Sequence, residues 1–183
     1  MDSSGSLRTE YSKEKDFLKA VAAHFGVSQK TSRIGVVSFS YFTELSIKLD
    51  EHNNIHTFNK AVDDIPHMGS TTRIDKALRL AHDELFKEKN GARFRVNKVL
   101  ILLTDGSQTQ DSETHDPAMI AQQIRDNGVQ MLTVGIGAKT NQSELIRISG
   151  GALNTFNADT FDRLLEGDFI KAISITACQK GIN

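Results

Sequence analysis

Val99-Leu100-Ile101-Leu102-Leu103 runs without interruption into Thr104-Asp105-Gly106-Ser107. Five consecutive apolar residues form a run too short for a typical helix and suited to a strand buried on both faces, the pattern of a parallel sheet covered by helices on each side. Period alone leaves a buried helix segment open at this point. If the run is a central strand, the hydroxyl, carboxylate and glycine that follow sit at its carboxyl end, where ligand sites of open α/β sheets lie.

Outward from that strand the hydrophobic period alternates. Phe17, Leu18, Val21, Ala22 and Phe25 recur at helical spacing in a helix over Tyr11 to His24 that stops at Gly26. Its other face, with Lys13, Glu14, Asp16 and Lys19, reads as solvated. Arg33 to Ser40 reads as a strand, and Glu44 to Leu49 alternates as a half-exposed edge strand would, so the two predict a hairpin. Helices are expected from Ile55 to Ile65, ending before Pro66, and from Ile74 to Phe86. Asp116-Pro117 supplies a helix start, with a carboxylate cap and a proline at the first position, for a helix ending at Asn127-Gly128. Val129 to Ile136 is the next parallel strand, Ser143 to Ile148 a short helix and Leu153 to Asn157 a last strand. A closing helix carries Phe161, Leu164, Leu165, Phe169, Ile170 and Ile173. Alternating helices and strands predict an α/β fold: a doubly wound, mostly parallel sheet flanked by helices, with one antiparallel edge strand.

The chain has 183 residues, the size of one domain, and neither an internal repeat nor a Pro-rich linker divides it. Twenty-two Lys and Arg stand against 23 Asp and Glu, so charge offers no attraction to nucleic acid or to an anionic membrane. No apolar run reaches the roughly 18 residues that span a bilayer, and membrane insertion is not expected. The single cysteine, Cys178, cannot form an internal bridge. A partner must therefore be recognised by a local site.

Three segments can converge at the carboxyl ends of the strands: Asp2-Ser3-Ser4-Gly5-Ser6, Gly69-Ser70-Thr71-Thr72-Arg73-Ile74-Asp75 and Thr104-Asp105-Gly106-Ser107. All are rich in hydroxyl and carboxylate oxygen and contain no His or Cys. That donor set suits a hard cation such as Mg²⁺, which takes about six oxygens near 2.1 Å and keeps some waters. Each piece singly also fits a helix cap or a turn, so the case rests on their occurring together and in order.

Asp2-x-Ser4-x-Ser6, then Thr72 within Gly-Ser-Thr-Thr-Arg-Ile-Asp-Lys-Ala-Leu, then Asp105 within Leu-Leu-Thr-Asp-Gly, resemble the metal-ion-dependent adhesion site of von Willebrand factor type A domains, including integrin inserted domains. Arg33 to Ser40 and Val134-Gly135-Ile136-Gly137 resemble framework segments of the same family, so the likeness covers essentially the whole chain. It implies a Rossmann-like fold over residues 1–178, with 179–183 as a tail. It also implies one cation, Mg²⁺ or else Mn²⁺ or Ca²⁺, held by hydroxyls of Ser4, Ser6 and Thr72 and by Asp2 and Asp105 directly or through water. Three neutral hydroxyls and two carboxylates leave such an ion incompletely neutralised, so a Glu or Asp of another protein is a favourable sixth ligand. The implied function is that of an extracellular adhesion module for collagen or another matrix protein, not an enzyme. The loop from Ser107 to Asp116 stands beside the site as a possible partner surface, although a solvated loop explains its acidic residues as well.

The resemblance also implies an apolar strand directly ahead of Asp2, in the middle of the sheet, where this chain has only Met1. The expectation is an amino-terminally truncated fragment, or a slot filled by something else such as another copy; a cysteine partner for Cys178 would have been lost with the strand. Asn141-Gln142-Ser143 fits a glycosylation acceptor but adds little, being expected by chance. Two further readings stay open: an intracellular assembly subunit of the same fold, and a metal-dependent hydrolase using Asp2 as nucleophile or Asp105 as base, which no accompanying general acid or Gly-rich phosphate loop supports.

Overall fold

The computed structural model describes residues 1–179, so all of the expected tail except Gln179 lies outside the described residues. In chain order the elements are α1 (Tyr11–Phe25), β1 (Val36–Phe39), β2 (Thr43–Ile47), α2 (Ile55–Asp64), α3 (Ile74–Leu80), β3 (Lys98–Thr104), α4 (Pro117–Asp126), β4 (Val129–Ile136), α5 (Gln142–Ser149), β5 (Thr155–Ala158) and α6 (Gly167–Cys178).

The apolar run is a strand, β3, paired in parallel with β4 so that Leu100 faces Met131 and Thr104 faces Gly135. Beyond β4, β5 pairs in parallel with Ala158 opposite Ile136. Side chains on successive strand residues point to opposite faces, and both faces are covered. Leu100, Leu102 and Met131 pack with Ile74, Leu78 and Ile120 on one side. Leu103, Leu132 and Val134 pack with Phe17, Phe169 and Ile173 on the other. Every residue of β4 is buried, Gln130 and Thr133 included, which is why the segment lacks the polar alternation of a half-exposed strand. The doubly wound, mostly parallel arrangement follows from these two helical layers.

Helix ends obey local chemistry. Asp116 caps α4 by accepting from the Ala118 amide at 3.0 Å, with Pro117 at the first helical position. Asn141 caps α5 by accepting from the Glu144 amide at 3.1 Å, which is what its side chain does in the fold. Gly26 and Gly150 end α1 and α5 at positive φ of 71° and 84°.

Boundaries shift in several places. The first expected strand contracts to β1, and β1 and β2 form the anticipated antiparallel hairpin with Phe39 opposite Thr43. The helix expected over Ile74 to Phe86 keeps α-geometry only to Leu80 and continues as a wide π-turn over Ala81–Leu85, still burying Ala81 and Leu85. The last strand begins two residues late, because Leu153 lies in a 3₁₀ turn and is 91% exposed. The closing helix is broken after Leu165 and restarts at Gly167. Glu14 is a correction of a different kind. The sequence places it on the solvated face of α1, yet it is fully buried in the stripe that also carries Tyr11, Phe17 and Val21.

Among the described residues β1 pairs with β2, β3 pairs with β4, and β1 and β3 do not pair with each other. Between them lies an apolar slot. Its upper part is a cavity of about 130 Å³ lined by Val37, Phe39, Leu100 and Leu102, and its lower part is one of about 370 Å³ reaching Arg33, Phe86 and Lys98. Met1 to Ser3 occupy the top of the slot as a stub parallel to β1. The Phe39 amide donates to the Met1 carbonyl at 3.1 Å, and the Ser3 amide to the Phe39 carbonyl at 2.6 Å. The Met1 ammonium, buried there, donates to the Val37 carbonyl at 3.1 Å, and burial holds its pKa below the ordinary value.

Unmet strand edges and an apolar slot are costly, so an occupant that pairs with both walls should stabilise the fold. A chain carrying an extended apolar segment of about six residues joined ahead of Met1 is expected to melt higher by roughly 5 °C or more. An unchanged melting curve would show that the walls do not accept a strand.

Candidate metal centre

The fold brings the oxygen-rich loops to one end of the sheet because each leaves an element pointing that way. The first loop follows the stub beside β1, Asp105 follows β3, and Thr72 precedes α3. Main-chain bonds stitch the loops together. Gly69 donates to the Ser3 carbonyl at 2.8 Å and Gly5 to the Ser70 carbonyl at 2.8 Å, while the Met68 amide donates to Ser3 Oγ at 2.7 Å. Gly69 and Ser70 both take positive φ, 70° and 74°, and that left-handed pair turns the chain towards Ser3 and Gly5.

Asp2 forms the floor. Its carboxylate is fully buried, with Oδ1 accepting from the Ser4 amide at 2.9 Å and Oδ2 from the Thr104 hydroxyl at 2.6 Å. Burial raises its pKa, and the Thr104 and Ser4 bonds oppose that rise. Beneath it, Glu14 Oε1 accepts from the Asp2 amide at 2.7 Å. Its Oε2 is buried without a hydrogen-bond partner among the described residues, and burial pushes the Glu14 carboxyl well above its ordinary pKa.

Above the floor, the Ser4 and Ser6 hydroxyls are 3.2 Å apart and Ser6 donates to Asp105 Oδ1 at 2.8 Å. Neighbouring ligands of an octahedral ion with bonds near 2.1 Å lie roughly 3 Å from one another, so these oxygens have the spacing a Mg²⁺-sized cation requires. Thr72 is buried, and its Oγ1 lies beside Gly106, 3.6 Å from where a β-carbon there would stand. The structure thus gathers Asp2, Ser4, Ser6, Thr72 and Asp105. Both Asp2 oxygens are engaged inward.

The family model for the von Willebrand factor type A domain matches residues 1–171. The chain belongs to the von Willebrand factor type A family. A human collagen alpha-6(VI) chain is 33% identical over 94% of this chain, and von Willebrand factor A domain-containing protein 2 of Xenopus laevis is 26% identical over 90%. The chain spans 8% and 20% of the lengths of those two relatives. Among solved structures, proximal thread matrix protein 1 from the mussel byssus, in a form with a zinc-occupied MIDAS motif, superposes with a TM-score of 0.85 at 26% identity. The match covers 97% of this chain and 44% of that one. Manganese-loaded TRAP protein of Plasmodium vivax shares the fold at a TM-score of 0.75 and 19% identity, over 96% of this chain and 68% of that one.

Several residues around this type A site escaped the sequence reading. Thr104 holds Asp2, and its position at the end of β3 was the available signal. The His67 ring lies 2.8 Å from the Ser4 carbonyl through Nε2, a contact across 63 residues that no spacing reveals. Arg73 and Asp75 pair out of water: Arg73 Nε to Asp75 Oδ1 is 2.9 Å and Nη2 to Oδ2 is 3.0 Å, with the side chains 1% and 2% exposed. Although burial pulls the Asp75 carboxyl up, bonds from Arg73, the His115 amide and Gln108 outweigh it and hold the pKa at about 2.

A depressed carboxyl contributes stability above its unfolded pKa of 3.8 and loses it as pH falls towards the folded value of about 2. Asp75→Asn lacks that contribution at every pH and leaves a buried guanidinium, a loss of about 3–5 kcal/mol. Urea unfolding should therefore show the largest gap between parent and variant at pH 7, narrowing as the pH falls below 4. A gap independent of pH would contradict the assignment.

Proposed function

We propose that the chain is a metal-dependent protein-binding module that captures an acidic side chain of a partner at the Ser4, Ser6, Thr72 and Asp105 face. The observation that carries this reading is the run of oxygens from Ser4 to Ser6 to Asp105 at 3.2 and 2.8 Å, set over a buried Asp2. A bound divalent cation would supply a coordination position to which a carboxylate can attach. The chain's own residues do the rest. Main-chain bonds fix the loop bearing the two serines, Thr104 orients Asp2, and Thr72 is held at the mouth of α3. The hydroxyl-rich donor set favours Mg²⁺, with Mn²⁺ and Ca²⁺ as alternatives.

A partner from the extracellular matrix fits the likeness to modules of collagen chains, and with it a location outside the cell. Both Asp2 oxygens are bonded inward, to the Ser4 amide and the Thr104 hydroxyl, which disfavours Asp2 as a nucleophile. That arrangement supports a binding role over hydrolysis by Asp2.

Calorimetric titration with Mn²⁺ and Mg²⁺ tests the site. The parent should bind, and Thr72→Ala and Asp105→Ala should each weaken binding by about tenfold or more, the scale of losing a ligand contact with a charged or hydroxyl oxygen. Unchanged binding in both variants would overturn the assignment. Capture of a collagen should be lost when EDTA is added.

A further inference from the structure

The loop from Ser107 to Asp116 has no regular structure between Thr104 and α4, yet it is fastened at several points to one buried side chain. Arg73 is fully buried and is among the largest side chains to be so. Beyond its two-pronged bond to Asp75, Nη2 donates to the Glu113 carbonyl at 3.1 Å and Nη1 to Asp111 Oδ2 at 3.3 Å. Asp75 extends the hold. It accepts from Gln108 Nε2 at 2.8 Å and from the His115 amide at 3.1 Å. The middle of that loop then grips the candidate ligand Thr72 on both sides of its backbone. The Thr72 amide donates to Thr109 Oγ1 at 3.1 Å, and the Thr109 amide donates to the Thr72 carbonyl at 2.9 Å. On its other side Arg73 donates its own amide to the Ser40 carbonyl at 3.1 Å, fixing the same segment to the β1–β2 turn.

We infer that Arg73 is the positioning residue of the site: its planar fork sets the loop, and the loop sets Thr72. The inference rests on the proposed metal-binding reading for its affinity arm and on the loop geometry alone for its other arm. A guanidinium is required because a lysine presents a single ammonium and cannot bond two carboxylates and a carbonyl in one plane. Groups that orient metal ligands from behind govern affinity without touching the ion, and their loss costs roughly 10–100-fold.

Arg73→Lys keeps the charge and removes the fork. Amide hydrogen exchange of Thr109 and His115 should accelerate by about tenfold or more while β4 keeps the parent's protection, and the Mn²⁺ dissociation constant should rise about tenfold. A purely structural arginine would lower the melting temperature and leave the affinity of the folded protein unchanged. A folded Arg73→Lys variant with parental loop exchange and parental affinity overturns the inference. Should that variant not fold, Thr109→Val decides: it deletes the acceptor of the Thr72 amide and removes no side-chain bond to Arg73 or Asp75, and unchanged Mn²⁺ affinity there overturns the inference. If the parent binds no Mn²⁺, the metal reading fails, and loop exchange alone decides whether Arg73 holds the loop.

Discussion

Everything at the top of the sheet is referred to one buried carboxylate. Asp2 is out of water, and it is tolerable there only because the Ser4 amide and the Thr104 hydroxyl each satisfy one oxygen. The first folds the loop before α1 on itself, and the second joins it to the end of β3, about a hundred residues away in sequence. With the carboxylate fixed, the buried Ser4 hydroxyl lies 3.2 Å from that of the exposed Ser6, and Asp105, next to Thr104, comes within 2.8 Å of Ser6. Satisfying a buried acid thus helps to fix the hydroxyls, and a neutral residue at position 2 would remove the side-chain bond that ties their loop to β3.

The parts of this architecture that could be read from the sequence are those governed by period and by turn chemistry. The five apolar residues from Val99 to Leu103 are continuous, and the run from Val129 to Ile136 is largely apolar, because both faces of the strands are covered. Asp116-Pro117 and Asn141 cap helices for local reasons. The set of Asp2, Ser4, Ser6, Thr72 and Asp105 stood out through its likeness to the family's adhesion-site pattern, since each piece alone also fits a cap or a turn. Where prediction failed, a tertiary contact overrode the local pattern. Glu14 is charged like its solvated neighbours on α1, but its spacing from Tyr11, Phe17 and Val21 puts it in the buried stripe, where it accepts from the Asp2 amide. Arg73 and Asp75 looked like ordinary polar residues at a helix start. Their burial depends on a loop more than thirty residues away. The wide turn at Ala81–Leu85 and the late start of β5 belong to the same class, since both are set by how segments meet and not by propensity.

The slot between β1 and β3 separates two halves with different supports. The β3–β4–β5 half is covered on both sides by helices and has a fully buried central strand. The β1–β2 half is a two-strand ribbon, a unit that is marginal by itself, and it is tied to the rest through the Met1–Ser3 stub, the packing of α3 and the Arg73 amide on Ser40. The same short stretch that carries the first candidate ligands therefore also bridges the two halves, so site geometry and sheet cohesion rest on shared bonds.

The stitching of residues 67–70 to residues 3–5 runs largely through backbone amides and carbonyls. A main-chain bond is indifferent to the side chain it passes beneath but sensitive to how many residues lie between its ends. The spacing of the serine hydroxyls is consequently written in segment length more than in residue identity. Exposed positions such as Thr71 can be exchanged freely, whereas inserting or deleting a single residue between Ser3 and Ser6, or between His67 and Thr72, would put every oxygen out of register at once.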